Sequence, residues 1–267
     1  MAEFLEDFNV MLDAAEEMIG AGEYEQARLL LLRMQELFPD APEVFLLLGD
    51  MAMETFELDQ ALEMYNRAVS LDPEWSVGLS ARADCLLEMG RLADASRDAK
   101  KALKLDRNNA QAYWVRAVVA EFAGNQGLAE ACYKKAARLL PDTYHVPFRV
   151  SREFFDAAAT RAIEKLPARF KDLMVGVQVF VRDLPESWDE LGPLLLGMHE
   201  GEMLTEQSLT APQMPPRIFL YQKNIERVCR NQEEIEREIE LTVLHEVGHY
   251  FGLEDEDLER LERGSAR

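Results

Sequence analysis

Two histidines and a glutamate near the C-terminal end have the types and spacing of a metal-dependent hydrolytic site. His245, Glu246 and His249 form the pattern H-E-x-x-H. On a helix, residues four apart share a face, so both imidazoles can direct a ring nitrogen at one cation. Neutral imidazoles suit Zn²⁺, and the glutamate between them can accept a proton from an attacking water. The pattern predicts His245 and His249 as metal ligands and Glu246 as general base.

A third ligand is expected just past the end of this helix. Gly252 can adopt the left-handed conformation that ends a helix and turns the chain back. Glu254 and Asp255 follow it, and either carboxylate could complete the ligand set, with the spacing in favour of Asp255. Other divalent ions also accept two histidines and a carboxylate. A chance H-E-x-x-H on an acidic helix is the competing interpretation, and the extension to Gly252 and a carboxylate argues against it.

Composition limits the compartment and the partners. The chain has 267 residues, 48% of them hydrophobic, and a formal net charge of −21. Such a charge disfavours nucleic acid and anionic membranes as partners and permits cationic ones. The competing explanation is that the charge only keeps the protein soluble. Three widely spaced cysteines without a C-x-x-C support neither a disulfide framework nor a cysteine zinc site. With no signal peptide and no apolar run long enough to span a bilayer, we expect a cytoplasmic protein.

The N-terminal half repeats itself every 34 residues. Alanine recurs at that period, and glycine and proline columns follow it with one exception each. Small residues let paired helices approach closely, and proline ends a helix. Four repeats are predicted, at 8–41, 42–75, 76–109 and 110–143. The alanine column consists of Ala27, Ala61, Ala95 and Ala129.

This period and its alanine, glycine and proline columns resemble the tetratricopeptide repeat, in which each unit is a helix–turn–helix. The resemblance implies a solenoid with a concave groove for a peptide or partner segment. In that family the ninth position of a repeat tends to face the groove, and here it holds Glu16, Asp50 and Asp84. An acidic groove for a basic peptide is therefore expected, against the alternative of a merely solvated acidic face.

After residue 143 the period stops and the pattern becomes mixed. The elements predicted there are a helix from Ser151 to Leu166, strands at 175–181, 194–199 and 217–221, a long helix at 231–251 and a short one at 256–263. The apolar side of the long helix would face a core and leave the H-E-x-x-H side chains toward a cleft. The sequence thus predicts an α + (α+β) chain: an all-α repeat domain over 1–143 and a small α+β domain over 144–267.

The order of helix, strands and H-E-x-x-H helix resembles the zincin-like metallopeptidases of bacteria, described as minimal and metzincin-like. The similarity rests on Leu195–Gly201, on Pro216–Ile218 and above all on His245–Asp255. It implies Zn²⁺ held by His245, His249 and Asp255, with Glu246 as base. One departure is that no methionine follows Met214, so the methionine turn of ordinary metzincins is missing.

Three functions are compatible with these two halves. The first is a zinc metallopeptidase whose repeats bind a partner or substrate peptide, with His199, Tyr221 or Tyr250 as a donor to the oxyanion. The second is a repeat-based adaptor whose zincin-like domain is weak or inactive. The third is a peptidase held inactive until a partner fills the groove. Glu246 favours an enzyme, because a purely structural zinc site needs no general base.

Overall fold

The protein, analysed as a computed structural model, divides into an N-terminal unit, Met1–His145, and a C-terminal unit, Val146–Arg267. The structure describes residues 2–167, 170, 177–186, 192, 194–200 and 217–253. Among them, no helix is long and apolar enough to cross a membrane.

The N-terminal unit is a solenoid of helix pairs, as the 34-residue period predicts. The first helices of successive repeats lie side by side, and each packs against the second helix of its own repeat. The helices are α1 Ala2–Gly20, α2 Tyr24–Leu37, α3 Pro42–Glu54, α4 Leu58–Leu71, α5 Ser76–Glu88, α6 Leu92–Leu105, α7 Ala110–Phe122 and α8 Gln126–Leu139.

The small residues of the repeat act as close-contact points between helices. All four alanines of the predicted column are fully buried. A Cβ added at Gly49 on α3 would lie 2.5 Å from the ring of Tyr65 on α4, so this helix pair needs glycine at the crossing. The turns between paired helices place Gly22, Gly90 and Gly124 at positive φ. Phe56 takes the same place in the second repeat, with φ 57°.

The C-terminal unit packs helices on one face of a small mixed sheet. Its elements are α9 Arg152–Lys165, β1 Gln178–Arg182, β2 Gly197–Glu200, β3 Arg217–Tyr221, α10 Gln222–Val228 and α11 Gln232–Tyr250. The strand order is β1-β3-β2, with β1 parallel and β2 antiparallel to β3. Apolar residues of α9, the sheet and α11 form one core that includes Phe155, Ile218, Leu220, Ile239 and Val243.

Helix α10 follows β3 directly and carries a buried carboxylate that holds the start of the unit. Glu226 is 3% exposed. It accepts hydrogen bonds from Arg149 Nη1 at 3.0 Å, from the Val150 backbone N–H at 3.1 Å and from Gln222 Nε2 at 2.9 Å. A buried carboxylate is tolerated when it is paired and hydrogen-bonded in this way, so the segment leading into α9 is fixed to α10.

Candidate metal centre

Helix α11 positions the two predicted ligands. Asn231 caps its N-terminus by accepting from the Glu234 backbone N–H at 2.9 Å, and the buried Ile235, Ile239 and Val247 hold one side of the helix in the core. That anchoring leaves the half-buried His245 and His249 toward the opposite side. Burial of the apolar side of α11 therefore determines which way its histidines point.

The two imidazoles converge on one point. The Nε2 atoms of His245 and His249 are 3.0 Å apart, and their ring planes stand 88° to each other. Two nitrogens bound to one tetrahedral Zn²⁺ at about 2.0–2.1 Å would be separated by about 3.3 Å. The donor set and its spacing therefore fit a zinc ion with small adjustments of the rings.

Strand β2 crosses α11 beside the predicted base. Glu246 is 8% exposed, and a Cβ added at Gly197 would come within 3.0 Å of its Cγ and within 2.6 Å of Thr242 Cγ2. The backbone of β2 therefore lies against the side chain of Glu246. Only glycine allows this approach, because any larger residue would displace the strand or the carboxylate.

His199 lies two residues further along β2 and also faces the site. Its Nδ1 is 3.6 Å from Glu246 Oε2, and its ring stacks at 6.1 Å between centroids on that of His249. Tyr221 is buried, and burial raises the pKa of its hydroxyl, so it keeps its proton at neutral pH. Tyr250 is also buried, at 4% exposure. His199 is therefore a candidate oxyanion donor that lies in contact with the predicted base.

The helix ends where the sequence predicts. Gly252 has φ 75° and donates to the His249 carbonyl at 2.8 Å, while the Leu253 N–H donates to the Gly248 carbonyl at 3.0 Å. This is the left-handed glycine cap that satisfies the last carbonyls of a helix. The predicted ligands Asp255 and Glu254, and the predicted helix at 256–263, lie outside the described residues. Among the residues that the structure describes, no group of three or more His, Cys, Asp or Glu side chains is placed so that it could hold a metal ion.

The predicted acidic positions of the repeats lie on the first helices α1, α3 and α5. Glu16 is exposed, whereas Asp50 and Asp84 are half-buried. Burial is the largest cause that raises the pKa of Asp50 to about 6; the hydrogen bond from Tyr65 Oη at 2.7 Å lowers it, and the charges of Glu16 and Asp84 contribute smaller increases. Burial also raises the pKa of Asp84, opposed by a hydrogen bond from Gln111 Nε2 at 3.1 Å. Glu16 and Asp84 are thus close enough to Asp50 for their charges to act on it.

A segment after α8 packs near the third of these carboxylates. Tyr144 lies 5.2 Å from Trp114 between ring centroids. Its pKa is raised by burial and by the charge of Asp84, so its ring lies close to that carboxylate. The chain itself therefore occupies part of the face beside Asp84, while Glu16 stays open to solvent.

Gly197 and Thr242 were not singled out by sequence reasoning, although they determine where Glu246 lies. The available signal was a lone glycine within a predicted strand, which often marks a close backbone approach. The sequence does not show which element approaches this glycine, because Gly197 and Thr242 are 45 positions apart and meet only in the folded protein.

Comparisons with known families agree with both resemblances. Residues 174–265 match the family described as zincin-like metallopeptidase, and residues 12–74 and 80–142 match the tetratricopeptide repeat. The chain thus combines tetratricopeptide repeats with a C-terminal domain that matches the zincin-like metallopeptidase family.

Individual proteins are similar to parts of the chain. The chain is 35% identical over 83 residues to a UDP-N-acetylglucosamine--peptide N-acetylglucosaminyltransferase of Giardia intestinalis, which covers 31% of this chain and 6% of that protein. It is 29% identical to human tetratricopeptide repeat protein 36, over 46% of this chain and 69% of that one. Among solved structures, PilF of Pseudomonas aeruginosa has 20% identity and a TM-score of 0.47, covering 51% of this chain and 62% of that one.

The chain spans only a small part of the first relatives it matches: 6% of the Giardia transferase and 17% of human tetratricopeptide repeat protein 7B.

Proposed function

We propose that the protein is a zinc-dependent peptidase whose repeats bind a partner or substrate peptide. The observation that carries this proposal is the convergence of the His245 and His249 Nε2 atoms on a helix that also carries Glu246. The match of residues 174–265 to zincin-like metallopeptidases also supports it. Peptide bonds are the substrate class that this family description implies.

The roles of the residues follow from their positions. His245, His249 and Asp255 would hold the ion, which when bound supplies a Lewis acid that polarises the scissile carbonyl. Glu246 accepts a proton from the attacking water at its carboxylate and returns it to the leaving amine nitrogen. Its 8% exposure limits competition from solvent. His199 lies beside the same carboxylate and orients it.

The alternative function is an adaptor in which the repeats hold a partner and the zincin-like domain is weak or inactive. The extent of the repeat matches supports it, since those matches cover residues 12–74 and 80–142. A peptidase that becomes active only when a partner fills the groove would combine both functions. The metal content of the purified chain separates these cases, because an active zincin-like site holds about one zinc per chain.

Substitution of the predicted base tests the enzyme directly. Glu246→Gln should keep about one zinc per chain and lose at least about 100-fold in metal-dependent cleavage of a peptide library, the range that a general base contributes. His249→Ala and Asp255→Ala should lose zinc, whereas Glu254→Ala should retain it. Unchanged turnover by Glu246→Gln would remove Glu246 from the mechanism, and a wild-type chain without zinc would favour the adaptor.

The compartment is proposed on the state of the cysteines. Cys85, Cys132 and Cys229 are all free and buried. Free thiols are the norm in a reducing compartment, which agrees with a cytoplasmic protein.

A further inference from the structure

A cavity of about 320 Å³ opens directly beside the candidate centre. His245 and Glu246 form one end of its lining, and the segment leading into β2 forms another part. Because it adjoins both a predicted ligand and the predicted base, a group bound there would lie next to the bond being cleaved. No part of the mechanism above uses this cavity.

The walls of the cavity are mostly apolar. Leu195, Leu196 and Leu241 contribute to its lining, together with Thr242. The hydroxyl of Thr242 donates to the Glu238 backbone carbonyl at 2.8 Å, so this polar group is satisfied within the helix. What the cavity presents along these walls is aliphatic surface suited to the stem of a long side chain.

One carboxylate lies at a distance from the reacting atoms. Glu238, half-buried, also lines the cavity. It is two helical turns before His245, which corresponds to about 10 Å along the axis of α11 at 1.5 Å per residue. A lysine side chain extends about 6–7 Å from Cα to its charged end, given bonds of about 1.5 Å. A lysine or arginine whose backbone lies near His245 would therefore bring its charge within reach of the Glu238 carboxylate.

We propose that this cavity selects substrates with a lysine or arginine next to the scissile bond, its stem along the leucines and its cationic end at Glu238. The inference rests on the proposed peptidase function and names the substrate class of that site. A neutral aliphatic side chain fills the same walls without the charge pair, and an acidic one meets Glu238 and Glu246 with like charge. The net charge of −21 further attracts cationic peptides.

Binding to the full-length, zinc-loaded Glu246→Gln chain tests this selection without cleavage. That substitution also removes a second carboxylate from the cavity, so any remaining charge preference belongs to Glu238. The probes are labelled alanine peptides that differ at one central position: lysine, norleucine or glutamate. Norleucine keeps an unbranched aliphatic stem without the charge. Fluorescence anisotropy should show the lysine peptide binding at least 10-fold more tightly than the norleucine peptide, and the glutamate peptide binding most weakly.

Variants on the same helix assign the preference to one residue. Adding Glu238→Gln should bring the lysine and norleucine peptides to equal affinity, and Glu238→Lys should favour the glutamate peptide. Glu233→Gln makes the same charge change at an exposed position of the first turn and should keep the lysine preference. Equal binding of lysine and norleucine peptides, a preference that survives Glu238→Gln, or no binding by any peptide would overturn the proposal.

Cleavage by the wild-type chain separates this inference from the proposed function. Lysine-selective binding without any zinc-dependent cleavage would refute the peptidase and leave the pocket assignment standing. Cleavage of all three peptides at similar kcat/KM would support the peptidase and overturn the pocket assignment.

Discussion

At the scale of single residues, Phe56 has a backbone conformation that the equivalent turns of the other repeats place at a glycine. It has φ 57° and is 85% exposed, whereas the matching turns use Gly22, Gly90 and Gly124. The left-handed region costs a residue with a Cβ about 1 kcal/mol, and so exposed a ring recovers little of that cost by burial. Phe56→Gly should therefore raise the free energy of unfolding by about 0.5–1 kcal/mol, measured by urea denaturation.

The control for this turn is Phe56→Ala, which removes the ring but keeps the Cβ. It should give no comparable gain, because the strain belongs to the backbone. Equal stabilisation by alanine and glycine would show that the exposed ring, and not the backbone conformation, was the unfavourable feature.

Asp50 provides a pH-dependent prediction. Its pKa lies near 6 in the folded protein and at 3.8 without perturbation, with burial as the largest cause. The folded state therefore binds the proton more tightly than the unfolded state. Stability is lost as pH rises from about 4 to about 6, and the full cost is present at pH 7. Asp50→Asn should raise the free energy of unfolding at pH 7 by about 1–3 kcal/mol, because an amide oxygen still accepts from Tyr65.

Unfolding as a function of pH checks this sign. The advantage of Asp50→Asn should shrink as pH falls through 6 and disappear below pH 4. Asp94→Asn is the matched control, since hydrogen bonds from Arg91 and Arg97 lower the pKa of that carboxyl. The control should give no gain at pH 7. A constant advantage of Asp50→Asn at every pH would exclude ionisation as its origin.

At the scale of elements, local pattern predicted the repeats and the helix that carries the site. The 34-residue period gave the helix pairs, and β3 has the predicted bounds, Arg217–Tyr221. Strand β2 begins at Gly197, three residues after the predicted start. Strand β1 runs Gln178–Arg182, one residue past the predicted end at 181, and its predicted first residues 175 and 176 lie outside the described residues. The apolar run before Gly197 looks like strand in the sequence, yet Leu195 and Leu196 lie outside β2 and line a cavity. The Leu196 carbonyl still accepts from the Tyr221 backbone N–H at 2.9 Å.

Helix α10 was missed because its burial does not follow an apolar pattern. Over its seven residues the buried positions include Gln222, Asn224, Glu226 and Arg227. Two of these residues have partners distant in sequence: Glu226 accepts from Arg149, and Asn224 Nδ2 donates to the Leu195 carbonyl. Periodicity reports apolar faces alone. The same limit hid the contact of β2 with Glu246.

The crossing of β2 and α11 makes a prediction about an element pair. Gly197→Ala would place a Cβ 2.6 Å from Thr242 Cγ2 and 3.0 Å from Glu246 Cγ, which forces the strand away from the helix. We expect a loss of about 1–3 kcal/mol in unfolding free energy, with a lower kcat for any cleavage because Glu246 shifts. Gly127→Ala on α8 has nothing within 4 Å and should instead be neutral or stabilising by up to about 1 kcal/mol.

Thermal unfolding and single-turnover cleavage distinguish the effects at this crossing. If Gly197→Ala were as well tolerated as Gly127→Ala, the close approach of strand and helix would not constrain the site. A stability loss with unchanged kcat would mean that the strand moves while Glu246 stays in place.

At the scale of the whole molecule, the charge of −21 makes both units attractive to cationic peptides. In the N-terminal unit, the proposed contacts are Glu16, Asp50 and Asp84. The pKa of Asp50 is raised mainly by burial and to a smaller degree by the charges of the other two. Peptides captured by the repeats would share their charge with the side chain proposed for the cavity beside His245. Two acidic selection steps on one chain would favour the same substrates.

The groove prediction has a signature that a generally acidic surface lacks. A basic peptide near Asp50 favours its ionised form, so affinity for Lys/Arg-rich peptides should rise as pH increases through about 6. Affinity should also fall with added salt.

Two variants test whether the groove position matters. Calorimetric titration of the full chain should show weaker binding for Glu16→Gln. Glu25, exposed on the second helix of the same repeat, is the control, and Glu25→Gln should bind like wild type. Equal loss in both variants would mean that these carboxylates act only through net charge, and salt-insensitive binding would contradict an ionic groove.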